Sequence, residues 1–165
     1  MRILLVDDEP DLISQYRTVL EDAGHSVDTA GDGQSCVMVY SNVLAANPEN
    51  PFDVVVLDYS MPKMNGLDAA KEILEKKPTQ RIIFASAYVQ DTLVDSIKTL
   101  GQIVELLQKP FSLKDLVETI EDRAIYDELA KLNVDVQNLK DLNPTHAQIR
   151  NYLDALRKIQ KAKTF

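Results

Sequence analysis

Apolar residues in this chain alternate between short unbroken runs and helix-spaced stripes. Ile3-Leu4-Leu5-Val6, Val54-Val55-Val56-Leu57, Ile82-Ile83-Phe84-Ala85 and Ile103-Val104-Glu105-Leu106-Leu107-Gln108 are short and rich in β-branched residues. Such runs read as strands buried on both faces of a parallel sheet. His25-Ser26-Val27-Asp28-Thr29 is a more polar run and reads as a strand at the sheet edge. Stripes of helical period lie between the runs. Pro10 suits a first helical position; Leu12, Ile13, Tyr16, Val19 and Leu20 follow it, and Gly24 stops the helix. Val37, Tyr40, Val43 and Leu44 mark a second helix, and a rigid loop with two prolines, residues 47–51, leads to the third strand at 53–57. Asn65-Gly66 opens a third helix through Leu67, Ala70, Ile73 and Leu74, closed off by Pro78. A helix near 91–99 and one capped by Ser112, through Leu113, Leu116, Val117 and Ile120, complete the series. This (βα)5 alternation predicts a doubly wound α/β sheet with helices on both faces.

The pattern changes beyond residue 122. Ile125, Leu129, Leu132, Val136 and Leu139 repeat in steps of four and three, a short seam of coiled-coil type. Asn143-Pro144 then reads as an N-cap and first helical residue, and Ile149, Tyr152, Leu153, Leu156 and Ile159 form an amphipathic stripe. Two domains are expected: an α/β unit at 1–122, and a helical extension at 123–165 in which the last helix of the first unit continues and folds back as a hairpin.

Composition narrows the function. The chain is 45% apolar and 27% charged, as soluble globular proteins are. No apolar stretch approaches the roughly 20 residues needed to cross a membrane, and no signal peptide is legible at the N-terminus, so a cytoplasmic location is expected. The single Cys36 lies in an apolar helical stretch and reads as a buried core thiol. Charge is uneven. Residues 1–122 hold 10 Lys and Arg against 21 Asp and Glu, net −11, while residues 123–165 hold 8 against 5, net +3. The acidic part should repel nucleic acid.

The ends of the four apolar runs carry the candidate chemistry. The first stops at Asp7-Asp8, the next at Asp58, the third at Ser86 and the last at Lys109-Pro110. Open parallel sheets bind ligands beyond the carboxyl ends of their strands. One sheet would therefore gather three carboxylates, a hydroxyl and an ammonium on one edge, a set suited to magnesium and a phosphoryl group.

Four motifs carry a family resemblance. Leu4-Leu5-Val6-Asp7-Asp8-Glu9-Pro10, Asp58-Tyr59-Ser60-Met61-Pro62-Lys63-Met64-Asn65-Gly66, Phe84-Ala85-Ser86-Ala87 and Lys109-Pro110-Phe111 resemble, in order and spacing, the signatures of response-regulator receiver domains. The resemblance covers about residues 1–122 and implies a flavodoxin-like fold with strand order 2-1-3-4-5. It implies that Asp58 takes a phosphoryl group from the phosphohistidine of a histidine kinase or phosphotransfer protein. It also implies that Asp8 and Asp58 ligate Mg2+, with Asp7 acting through water and Ser60 giving its backbone carbonyl. Ser86 and Lys109 would hold phosphoryl oxygens, and the Lys109-Pro110 bond would be cis. Such a protein is not an enzyme with a separate substrate; it catalyses only its own phosphorylation and dephosphorylation.

Two positions depart from the pattern. The family usually has Tyr or Phe where this chain has Leu106, so the usual aromatic readout is missing. Tyr88 is the nearest aromatic on the same loop as Ser86 and is expected to modulate instead. The resemblance implies that Tyr88 and Ser60 hold the positions flanking the path of hydrolytic water, so a long-lived aspartyl phosphate is expected. The tail's two helices read as a packing or homodimerisation element facing a downstream protein that the sequence does not name. Arg150, Arg157, Lys158, Lys161 and Lys163 are read as a solvated face rather than a nucleic-acid surface. His146 is read as a first-turn helix residue, although Thr145–Asn151 is loosely similar to a kinase phosphoacceptor helix. A DNA-binding regulator with a minimal basic tail is one competing reading. The other is a phosphorelay intermediate or phosphate sink.

Overall fold

The computed structural model describes residues 1–87, 91–100, 105–135, 138–139, 142 and 146–163. The strands are β1 (Arg2–Val6), β2 (Ser26–Ala30), β3 (Val54–Asp58), β4 (Ile82–Ser86) and β5 (Glu105–Gln108). They alternate with α1 (Pro10–Asp22), α2 (Gly33–Ala46), α3 (Gly66–Lys76), α4 (Asp91–Lys98) and α5 (Leu113–Lys131), and α6 (His146–Lys163) comes last. All strands run parallel in the order β2-β1-β3-β4-β5, so the polar second strand does lie at an edge. This is the flavodoxin-like order expected from the motifs.

The apolar runs are unbroken because both faces of the central strands are covered. Leu4, Val6, Val55, Leu57, Ile82 and Phe84 pack with Cys36 and Tyr40 of α2, Ala70 and Ile73 of α3, and Leu93 and Ile97 of α4. The alternate residues Ile3, Leu5, Val56 and Ile83 are equally buried and point to the opposite face, as strand period demands. Cys36 is a core thiol, its pKa pushed up to about 12 by burial.

Turn chemistry fixes where helices start and stop. Asp32 caps α2 by accepting the Ser35 amide at 2.7 Å, and Asn65 caps α3 by accepting the Asp68 amide at 2.9 Å. Gly24, at φ 90°, ends α1; its amide donates to Glu21 O at 2.9 Å, and the His25 amide donates to Leu20 O at 3.0 Å. This is a left-handed C-terminal cap, a conformation that glycine adopts most readily.

Backbone contacts divide the chain into Met1–Leu113 and Lys114–Phe165. In the second unit, Ile125, Tyr126 and Leu129 of α5 pack with Ile149 and Leu153 of α6. The expected seam does not stay on one helix. Asn133 adopts φ 58°, its amide donates to Ala130 O at 3.0 Å, and the Val134 amide donates to Leu129 O at 3.1 Å. The same left-handed cap therefore stops α5 at Lys131. Leu132, Val134 and Leu139 still join the apolar cluster from beyond the stop, and Val136 lies outside the described residues. Arg150 pairs with Glu121 at 2.6 Å, and Arg157 pairs with Glu128. Both pairs join residues 29 apart. A constant offset means that α5 and α6 run in the same direction, whereas antiparallel helices would give a constant sum.

Candidate functional site

Strand register brings the polar groups together. Val6 pairs with Leu57, so Asp7 and Asp58 follow on adjacent strands, and Asp58 pairs with Ala85 beside Ser86. Ser86 pairs in turn with Gln108, the residue before Lys109. The backbone continues this edge beyond the strands. The Tyr59 amide donates to Ala85 O at 3.0 Å, and the Lys109 amide donates to Ser86 O at 2.8 Å.

Four of the side chains meet: Asp7, Asp8, Asp58 and Lys109. Carboxylate oxygens of Asp7, Asp8 and Asp58 lie within 4.8 Å of one another. Asp7 is 2% exposed and Asp58 is 7% exposed, while Asp8 opens to solvent. Lys109 Nζ donates to Asp7 Oδ2 at 2.8 Å and stands 3.8 Å from Asp58 Oδ2. The Glu9 amide donates to the other Asp7 oxygen at 3.0 Å, and the Ser60 amide donates to Asp58 Oδ1 at 3.3 Å. The Lys109-Pro110 peptide is cis. Leu106 pairs in register with Phe84 but is 37% exposed, so the position expected to hold an aromatic presents an apolar side chain to solvent. Tyr88, expected to flank the site, lies outside the described residues.

Two glycines let the loop after β3 close over Asp58. A Cβ at Gly66 would stand 2.2 Å from the Asp58 carbonyl oxygen, and the Gly66 amide donates to Tyr59 O at 2.9 Å. At Gly33, the first residue of α2, a Cβ would come within 2.6 Å of the Met64 carbonyl oxygen. Lys63 between them takes the left-handed conformation, φ 67°. The motif reading included Gly66 but missed Gly33, whose role depends on α2 meeting a loop 31 residues away.

The electrostatics are those of a site short of positive charge. Burial, and then the neighbouring Asp7, push the Asp58 pKa up to about 7 against the pull of Lys109 and the Ser60 amide. Burial works against the Lys109 ammonium, yet its hydrogen bond to Asp7 and the nearby Asp58 hold its pKa above the ordinary value. A hard divalent cation among these oxygens would relieve the repulsion. The donor set of carboxylates, with one open to water, fits Mg2+, which keeps several waters of its own.

A parallel doubly wound sheet with an acidic, magnesium-ready pocket and one ammonium at its strand ends defines the class of phosphoryl-accepting signalling domains. Comparison with known proteins gives the family. Residues 3–121 match the response regulator receiver domain, and this chain belongs to that family. Receiver domains bind Mg2+ in an acidic pocket of this kind. The chain is similar to the transcriptional regulatory protein PdtaR of Mycobacterium tuberculosis, 35% identical over 73% of this chain and 55% of that protein. It is similar also to the response regulator SaeR of Staphylococcus aureus, 32% identical over 73% of this chain and 49% of that protein. Among solved structures it resembles the Thermotoga maritima response regulator TrrA in complex with Mg2+ and BeF. That match has a TM-score of 0.60 and 30% identity, covering 73% of this chain and 96% of that one. The chain spans about half the length of the curated relatives it matches.

Tyr16 and Phe111 also belong to this neighbourhood. Their rings meet at a 30° tilt with centroids 5.4 Å apart, and burial raises the Tyr16 pKa, with Lys109 pulling it down and Asp7, Glu9 and Asp58 pushing it up. Tyr16 read as one member of the α1 apolar stripe. The signal that sets it apart is a phenol in a buried stripe directly after Asp7-Asp8, because buried tyrosines ordinarily need a polar partner.

Proposed function

We propose that this chain is a two-component response regulator whose Asp58 accepts a phosphoryl group from a histidine kinase or phosphotransfer protein. The observation that carries the reading is the Lys109 ammonium shared between Asp7 and Asp58 beside three clustered carboxylates. Asp58 would attack phosphorus with one carboxylate oxygen; the P–N bond to the donor histidine breaks as the P–O bond forms, and the imidazole leaves. Asp8 and Asp58, with Asp7 through water and the Ser60 carbonyl, would hold Mg2+, which supplies positive charge against the incoming phosphoryl oxygens. Lys109 pairs with one of those oxygens and Ser86 hydrogen-bonds another. The protein then acts as a switch and not as an enzyme with a separate substrate.

For the output, we infer protein–protein interaction, with homodimerisation through the C-terminal helices and action in the cytoplasm. Tyr152 and Ile159 project from α6, seven residues apart and exposed, while Arg150 and Arg157 are engaged with Glu121 and Glu128. Two of the five basic residues that a DNA-binding reading requires are thus already paired, which favours the protein-binding reading. Light scattering with Mg2+, before and after acetyl phosphate, tests it. The expected result is a change in solution mass for wild type and none for Asp58→Ala. An unchanged wild-type mass, with phosphorylation shown, would remove dimerisation as the output.

A further inference from the structure

The helix α6 carries two apolar lines. The first, Ile149 and Leu153 with Leu156 partly covered, closes against α5. At about 3.6 residues per turn, Arg150 and Arg157 fall on one flank of that line, where they pair with Glu121 and Glu128. Tyr152, Ala155, Ile159 and Ala162 fall on the other flank. They follow one another in steps of three, four and three, the spacing of a helix-pairing seam. Tyr152 is 45% exposed, Ile159 is 53% exposed, and both alanines are exposed. This second line is therefore open in the single chain.

The order of large and small residues selects its occupant. Reversed on itself, the line is small where it was large. Laid antiparallel on a second copy, Tyr152 meets Ala162 of the partner subunit and Ile159 meets Ala155 of the partner subunit, so every layer sets a large side chain against a small one. A parallel copy would stack tyrosine on tyrosine and alanine on alanine, leaving layers overfull and hollow by turns. Charge selects the same direction. Residues 146–154 hold one Arg and one Asp, whereas residues 155–163 hold four Lys and Arg and no acid. Antiparallel pairing sets each basic half against a neutral half and opposes the helix dipoles. Parallel pairing would set the two basic halves side by side, a like-charge penalty.

We propose that two copies of this chain pair antiparallel through the Tyr152, Ala155, Ile159 and Ala162 line of α6. Each copy gives and receives the same contacts, which closes a two-fold pair. Four side chains are few beside the roughly 20–30 residues a side of a stable interface, so the contact is weak and reversible. This pairing rests on the homodimer reading of the output and gives it a surface and a direction.

Light scattering over a concentration series, with Mg2+ and with or without acetyl phosphate, is run on wild type and Ile159→Lys. A lysine charge on the line should raise the half-dimer concentration by about tenfold or more in whichever state dimerises. The thermal melt should not move, because Ile159 is half exposed in its own chain. Disulfide trapping reads the direction. Ala155→Cys and Ile159→Cys proteins are mixed and oxidised; Cys36, 0% exposed, stays out of the reaction. A disulfide needs Cα atoms within about 7 Å, so antiparallel copies join position 155 to position 159, and intact mass should show the mixed dimer in excess. A dimer that withstands Ile159→Lys, an excess of like-to-like disulfides, or a lowered melt would each overturn the antiparallel line while leaving dimerisation in place. A wild-type protein that stays monomeric in both states overturns the homodimer reading itself, and this pairing with it.

Discussion

The unit Met1–Leu113 and the unit Lys114–Phe165 are built to opposite plans. The first buries both faces of a sheet and gathers its polar groups where the strands end, with Asp7, Asp8, Asp58 and Lys109 meeting there. It holds 9 Lys and Arg against 17 Asp and Glu. The second unit holds 9 of each, closes a narrow apolar stripe between two parallel-running helices, and links those helices by two heptad-spaced charge pairs. No metal-ligating cluster occurs in it among the described residues. The difference has a physical basis. Strand ends in a fully covered sheet cannot move without breaking the ladder, so they hold reacting groups in fixed geometry. A helix pair offers instead a face that a partner can cover, here with Tyr152 and Ile159 left outside. In the proposed reading, chemistry belongs to the first unit and recognition to the second.

The largest expected effect falls on the chemistry. Lys109→Ala removes the cation that sits between Asp7 and Asp58, and loss of such a preorganised charge should slow phosphorylation by about a hundredfold. Radiolabelled acetyl phosphate measures it, and a rate within twofold of wild type would break the assignment. The second unit should respond in the other way. Leu129→Ala empties the centre of its apolar cluster and should cost about 3 kcal/mol in denaturant melts. Phosphorylation of the first unit should continue at nearly the wild-type rate, and a parallel fall would erase the division of labour.

A smaller effect links stability to pH. In the metal-free protein, the folded-state pKa of Asp58, about 7, lies above the ordinary value for aspartate. A raised carboxyl contributes its stabilisation in full below the unfolded-state value and loses it as pH rises through the folded-state value. Asp58→Asn does not titrate, so it should match wild type near pH 4 and exceed it by about 2 kcal/mol at pH 8. Mg2+, which binds the native protein, should narrow the gap. A gap that does not vary with pH would contradict the crowded-carboxylate account.

Much of the first unit was legible because its signals are local. Ile3–Val6 and Val54–Leu57 are too short and too apolar for anything but covered strands, and each is stopped by the acid it delivers. Once four such ends are assigned to one parallel sheet, their convergence follows from topology. What was not legible depends on distant neighbours. Gly33 meets Met64, and Tyr16 meets Phe111, only after the chain has folded. In the tail, periodicity identified the buried faces containing Ile125, Leu129, Ile149 and Leu153. Periodicity carries no direction, however, so parallel travel of α5 and α6 was hidden until Glu121–Arg150 and Glu128–Arg157 showed a common offset. The stop at Lys131 was hidden as well, because Asn133 caps a helix only through its left-handed backbone.

The central claim is that Asp58 is a magnesium-dependent phosphoryl acceptor. Intact-mass measurement after incubation with acetyl phosphate tests it most directly. Wild type should gain the mass of a single phosphoryl group with Mg2+ present and nothing after chelation, and Asp58→Asn should gain nothing in either case. A phosphoryl group on the Asp58→Asn protein, or an equal gain by wild type without Mg2+, would contradict the account.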